Sequence, residues 1–351
     1  MPVTLNPLEQ FVILTMNQAP GPMVEVWSGL ANRIIVAGIR LNVFETLQQE
    51  PAAASELAQR LNLDARGMNM LLETLTALGY LERAGARFRI TSMTRKWLTD
   101  AEGTNVAPFL LFWGASLEQL FPTLEETFRA GKPRTDIYAW LETQPDAARN
   151  FQKGLAALAR VFNDGVVSNI PVPARPCRLL DLGGGHAIYS IGLCQKYPQL
   201  SAVIFDSAQT LEVGRESIDA AQLNGRVTVQ PGDFVTDTLG SGFDLVLLFN
   251  ILHGFQKEQN IALLTKVRAA LSPGGRVVIG DQLVGEGGIP VANLATRLLG
   301  IAFYQLAGGQ AYTYDELRDI LTQAGFGDIQ LKRSLRAGGV LLFAENPSHS
   351  E

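Results

Sequence analysis

Cysteine, clustered cations and long apolar runs are all scarce in this chain, and each scarcity removes a class of function. The 351 residues include two cysteines, Cys177 and Cys194. They have neither metal-ligand spacing nor the framework of a stapled secreted domain, so no metal centre is expected and a reducing compartment is. Lys and Arg do not outnumber Asp and Glu, and the net charge of −5 argues against a nucleic-acid scaffold. No stretch of roughly 20 uncharged apolar residues is present to cross a bilayer. The most apolar helical stretch, Val291 to Leu306, carries Arg297 and reads as a buried wall. The start lacks the cationic opening and compact apolar block of a secretory signal, so a cytoplasmic protein is expected. There is no internal repeat and no low-complexity tract. What remains, 47% apolar and 18% charged, is an ordinary globular composition, long enough for two domains.

Two halves are visible. From Val24 to about Ile170 apolar residues recur at three- and four-residue spacing, the helical pattern. Within it, Ala54–Leu61 reads as a short helix and Ala65–Leu78 as a second, ending at Gly79. Tyr80 to Thr91 then alternates as a hairpin wing, completing a winged helix-turn-helix. The second helix offers Arg66 as its one cation, beside Asp64 and Glu73, whereas phosphate neutralisation needs several Lys or Arg. Dimerisation is therefore the stronger reading, and a DNA-binding regulator the remote one. Ile170-Pro-Val-Pro-Ala-Arg-Pro176 separates the halves, because its prolines cannot continue a helix.

The second half alternates short apolar strands with amphipathic helices, the signature of a parallel α/β sheet. Strands are expected at Arg178–Leu182, Ala202–Phe205, Val227–Gln230, Phe243–Phe249 and Gly275–Gly280, the last after a Leu271-Ser-Pro-Gly-Gly275 turn. A terminal pair, Ile329–Arg333 and Val340–Glu345, joined through Ala337-Gly-Gly339, must be antiparallel. That ending departs from the symmetric double unit of a nicotinamide dehydrogenase. The most informative stretch is Arg178-Leu-Leu-Asp-Leu-Gly-Gly-Gly-His-Ala187, where a strand feeds a helix (Ile188 to Tyr197) through three glycines. Such a turn brings bare backbone N–H groups up to a nucleotide-type ligand.

Carboxylates recur at strand ends: Asp181, Asp206 and Asp233. An acid closing the second strand suits a ribose diol, since a carboxylate accepts two hydroxyl hydrogen bonds. Gly232-Asp233-Phe234 supplies a polar edge and an aromatic wall for an adenine. His253 follows the fourth strand directly, at the carboxyl edge where ligands bind, and Asp281 closes the fifth. An imidazole with a pKa of about 6.5 can exchange a proton near neutrality. A neighbouring carboxylate would fix its tautomer. His186, inside the glycine turn, reads as a backbone spacer.

These motifs, with Ile251-Leu-His253, Gly308-Gly309 and Gln323-Ala-Gly-Phe326, resemble the class I S-adenosylmethionine-dependent O-methyltransferases that act on small molecules in plants and bacteria. The resemblance covers nearly the whole chain. It implies a Rossmann-like seven-stranded sheet with an antiparallel terminal hairpin, preceded by a helical winged-helix dimerisation domain. The corresponding division is 1–105 for dimerisation, 106–175 as a helical connector and 176–351 for the cofactor. It implies S-adenosylmethionine held by Asp181, Gly183, Gly185, Asp206, Gly232, Asp233, Phe234 and Asn250. It also implies catalysis by His253 oriented by Asp281, and a homodimer in which one subunit's helical half helps to close the other's site. The acceptor is expected between the halves, against Phe112, Trp113, Phe162, Asn163, Asn293 and Arg297, with Phe109, Phe303 and Tyr304 as further walls. Arg297 would meet an acidic acceptor if buried, or solvent if exposed.

The chain departs from that family at three places. Gly254-Phe255 follows the histidine where relatives carry Asp-Trp, and Phe249 replaces a lysine. A second orienting glutamate falls at Ala311, so another group such as Glu286 would have to substitute. These departures keep carbon methylation and non-methylating chemistry open as alternatives.

Overall fold

The computed structural model describes residues 6–334, 336 and 338–347. The chain divides into two compact units, one running to Ser116 and one from Leu117 onward. The division falls inside the helix Ala107–Gln119, between the expected boundaries at 105 and 175.

The first unit is helical apart from its wing. Helices Met23–Arg40, Val43–Gln49, Ala54–Leu61 and Ala65–Ala77 precede the hairpin β1 (Leu81–Ala84) and β2 (Arg87–Ile90). Asp64 starts the fourth of these by accepting from the Gly67 N–H at 2.7 Å, a side-chain N-cap. In β2 the alternation is strict: Phe88 and Ile90 are buried while Arg87 and Arg89 are exposed. The core gathers Phe44, Leu57, Leu72, Leu75, Leu81 and Phe88. Glu73 is taken up by an ion pair with Arg83, leaving the expected recognition helix no richer in cations than its sequence.

The second unit is built on β3 (Cys177–Leu182), β4 (Leu200–Asp206), β5 (Val227–Pro231), β6 (Phe243–Phe249), β7 (Leu271–Gly280), β8 (Gly327–Ser334) and β9 (Gly339–Glu345). Their order is β5-β4-β3-β6-β7-β9-β8, parallel through β7 and antiparallel for β9 against both neighbours. The central strands read as unbroken apolar runs because both faces are covered. Leu180, Leu182, Val246, Leu248, Val277 and Ile279 enter one core, whereas Leu179, Leu245, Leu247 and Val278 enter the other. β7 begins at Leu271, earlier than the sequence suggests. Leu271 pairs with Phe243, and the register breaks before Leu245 pairs with Arg276, so Ser272-Pro-Gly274 form an irregularity within the strand. In the terminal turn, Ala337 lies outside the described residues; Gly338 and Gly339 have φ of +80° and +143°.

Strands β4 and β5 lie on one side of β3, and β6 and β7 on the other. The connections after β3 and β6 therefore run in opposite directions. That is the switch point at which open α/β sheets hold ligands.

Candidate active site

The glycine turn occupies one lip of this switch point. Gly183 takes φ +73°. A Cβ there would lie 2.2 Å from Ile251 Cδ1, and one on Gly185 would lie 2.1 Å from Thr210 Cγ2 and 3.0 Å from Asp206 Oδ2. The backbone is thus bare where it passes the ends of β4 and β6. Asp206 accepts from the N–H groups of Gly185 (3.1 Å) and Ser207 (2.7 Å). The Thr210 hydroxyl is a further donor to this carboxylate, which as an ionised acceptor of about four sites can still take a hydrogen bond from the ribose diol expected here. Burial raises the Asp206 carboxyl to about 6, against the lowering effect of those N–H donors.

Asp181 is placed differently from a ligand-facing acid. It is buried behind the turn, accepts from Ser190 Oγ at 2.6 Å, and fills the space that a Cβ on Gly184 would need. Burial raises it to about 7. It holds the loop from below. Ala187, at the start of the next helix, is fully buried with φ +62°, a conformation that a Cβ disfavours. His186 is pushed down to about 4 by burial and by nearby Arg160, and its Nδ1 accepts from the Ile188 N–H at 3.2 Å. It is neutral and local, in the spacer role expected.

Asp233 caps its own turn: its carboxylate accepts from Val235 N–H (2.8 Å) and Thr236 Oγ (3.0 Å) while remaining exposed. A Cβ on Gly232 would meet the Phe205 ring and Asp237. Phe234 approaches the same space above Gly183 as Ile251 does. Asn250, at the end of β6, has φ +57° and accepts from Gln282 Nε2 at 3.0 Å.

The other lip holds His253 in a single helical turn, Leu252–Gly254, immediately after β6. Asp281 follows β7, the neighbouring strand. The pairing of these strands brings their ends together, and His253 Nδ1 lies 2.6 Å from Asp281 Oδ1. The carboxylate is 3% exposed and the imidazole 17%, so the acid is enclosed while the ring reaches the surface of the site. Asp281 also accepts from the N–H groups of His253 (3.3 Å) and Gln282 (2.8 Å). Glu286 does not supply a second carboxylate. It is committed to Arg333, whose Nε and Nη2 donate to it at 2.6 and 2.9 Å.

Most of the acceptor-side residues have packing or hydrogen-bond partners within their own unit. Phe112 is buried and stacks on Phe109, with Trp113 edge-on at 5.5 Å. The space above Gly338 is filled by the Phe162 ring and that above Gly192 by the Asn163 amide, so both are engaged in packing. Asn293 Oδ1 accepts from the Gly287 N–H at 2.9 Å, and Arg297 is exposed. Sequence reasoning missed Ser190 and Thr210, which hold Asp181 and pack against Gly185 from the helices beside the turn.

A glycine cradle and strand-end acid beside a carboxylate-held histidine, on a sheet with this strand order, define a nucleoside-dependent transferase. The chain belongs to the O-methyltransferase family: residues 118–327 match its O-methyltransferase domain and residues 28–100 its dimerisation domain. It is 29% identical to the 3-hydroxy-5-methyl-1-naphthoate 3-O-methyltransferase of Streptomyces sahachiroi, over 91% of this chain and 93% of that one. It is 28% identical to the L-tyrosine C(3)-methyltransferase of Streptomyces lavendulae, over 85% and 84%. The fold matches that of human N-acetylserotonin methyltransferase, solved in complex with SAM, with a TM-score of 0.81 at 22% identity, over 99% of this chain and all of that one.

Proposed function

We propose that the chain transfers a methyl group from S-adenosylmethionine to a hydroxyl of a small aromatic molecule, with His253 as general base and Asp281 as its orienting partner. The observation that carries this reading is the 2.6 Å contact between His253 Nδ1 and Asp281 Oδ1 at the carboxyl ends of adjacent strands. With Nδ1–H donating to the carboxylate, Nε2 presents its lone pair to an acceptor hydroxyl. Removing that proton turns a poor nucleophile into a phenolate, and Asp281 stabilises the imidazolium that results. When bound, the cofactor supplies a methyl group made electrophilic by a positively charged sulfur. The bare backbone at Gly183 and Gly185 would receive its amino-acid portion, Asp206 its ribose, and the Asp233–Phe234 segment with Asn250 the rest of the nucleoside. The protein's further contribution is position and exclusion of water.

Calorimetry and turnover on hydroxylated aromatics test the reading together. His253→Ala should bind S-adenosylmethionine as the parent does while losing about 10²–10⁴ in turnover. Absence of binding by the parent, or near-normal turnover in the variant, overturns it.

One observation favours a second reading, ring carbon methylation. Among the described residues His253 has one carboxylate partner, with Ala311 where another was expected, as would suit the ring carbon methylation for which a relative, the L-tyrosine C(3)-methyltransferase, is named. Product NMR separates the two, since an O-methyl and an aryl C-methyl group have distinct shifts. We further assign a homodimer formed through the first unit and a reducing compartment, the cytoplasm, in keeping with two buried free thiols.

A further inference from the structure

A carboxylate bond at one nitrogen fixes a point on an imidazole but leaves the ring free to tip, because histidine's terminal torsion is broad. In this chain the tipping is blocked by an aromatic face. The Phe303 ring lies parallel to His253, with centroids 3.7 Å apart and planes 8° from coplanar. Two neutral rings ordinarily prefer offset or edge-on contact. A face-on stack this close suits the cation that forms while the base holds the acceptor's proton.

Phe303 has little freedom to leave. Its helix, Pro290–Ala307, is anchored on another side by Gln305 Nε2 donating to Leu120 O (2.7 Å) and Thr123 Oγ1 (3.1 Å), and by Tyr304 Oη donating to Thr127 O at 3.4 Å. The helix ends at Gly308, whose φ is +73°. The chain then turns back so that the Gln310 N–H donates to the carbonyl of His253 itself at 2.9 Å. That approach needs glycine at 309, where a Cβ would sit 2.0 Å from the same carbonyl oxygen. Ring and backbone of His253 are therefore both held by one segment, residues 303–310. The segment leads directly to Ala311, the position without a carboxylate.

We propose that Phe303 is the positioning residue that fixes the plane of the His253 imidazole, taking over the orientation for which the described residues place no second acid at the ring. The inference rests on His253 acting as the general base. Phe303 acts through the histidine, so its effect is present only while the histidine is.

A double-mutant cycle in the full-length protein tests this. Phe303→Leu should lower kcat by about 10–100-fold, the cost of a misplaced catalytic group, with calorimetric affinity for S-adenosylmethionine unchanged. Phe303→Tyr, which keeps the ring, should restore most of the rate. In the His253→Ala background Phe303→Leu should make no further difference. Nitrogen-15 NMR of the imidazole should keep the Nδ1–H tautomer in Phe303→Leu, since Asp281 still accepts from it, so that the loss is one of ring plane; a mixture of tautomers in that variant would overturn the inference. An equal loss in both backgrounds would mean that Phe303 touches the acceptor directly and overturns the inference, as does unchanged kcat. Should Phe303→Leu fail to fold by circular dichroism, Phe303→Met is read by the same criteria. Near-normal turnover in His253→Ala alone removes the base itself. Loss there with no effect of Phe303→Leu removes this inference only.

Discussion

At the scale of single residues, three side chains can be separated by what they hold. Asp281 selects the tautomer that leaves Nε2 ready to accept a proton. Asp281→Asn can instead present an amide N–H to Nδ1, which stabilises the wrong tautomer. We expect turnover to fall by at least about 10² while affinity for S-adenosylmethionine stays, measured by steady-state kinetics and calorimetry. Ala187 bears a Cβ in a left-handed conformation at full burial. Ala187→Gly should raise stability by about 0.5–1 kcal/mol in urea titrations, since glycine takes that conformation without strain. Asp181 gives a pH dependence. Its folded-state pKa of about 7 lies above the ordinary carboxyl value of about 4, so the folded chain binds that proton more tightly. Stability from this group is full below about pH 4 and is lost as pH rises towards 7. Asp206 contributes the same sign up to about 6. Melting the ligand-free protein at pH 5 and pH 8 should show a smaller drop for Asp181→Asn than for the parent. Equal drops would count against a buried, protonated Asp181.

Among the elements, the connection from Gly308 to Gln310 is the most exacting. Gly309→Ala places a methyl group against the His253 carbonyl, so either the turn or the histidine must move. The expected result is a loss of turnover accompanied by a destabilisation of more than about 1 kcal/mol, read from activity and chemical denaturation together. Stability unchanged from the parent would show that the contact relaxes freely. This element also marks where the sequence stopped being legible. β3, β4 and β6 could be read from their apolar runs, and their ends point directly to the glycine turn, Asp206 and His253 respectively. The His253–Asp281 pair was accessible through the family resemblance, and the pairing of β6 with β7 is what brings the two together. The early start of β7 was hidden, since Pro273 and Gly274 read as turn chemistry and their tolerance at a register break is a property of the partner strand. The stack of Phe303 was hidden for another reason. Helical periodicity shows that a residue is apolar, and Phe303 was expected as a wall, but only the return of the chain through Gly309 brings it onto the imidazole. Glu286 was sought as a substitute acid, yet it is drawn to Arg333 on β8.

For the whole molecule, association follows from surface that one chain leaves uncovered. Met23, Val26, Trp27 and Leu30 recur at helical spacing on one face of the helix Met23–Arg40, and all are exposed, Trp27 by 46% and Leu30 by 57%. The opposite face buries Ala31, Ile35 and Val36. An apolar stripe of this kind, running into the dimerisation-domain match that begins at residue 28, is where a second copy is expected. Trp27→Glu combined with Leu30→Glu should convert the dimer to monomer in sedimentation velocity without loss of helical signal. A dimer that persists would locate the interface elsewhere.

Since the glycine turn and the histidine turn leave neighbouring strands in opposite directions, the two sides of the chemistry are encoded on separate stretches of chain. Exchanging residues 290–313 with those of a relative would transplant the imidazole's stacking partner along with its surroundings. The stretch that receives the sulfonium nucleoside would remain as it was. Such hybrids should trade one acceptor preference for another while their donor affinity is inherited intact.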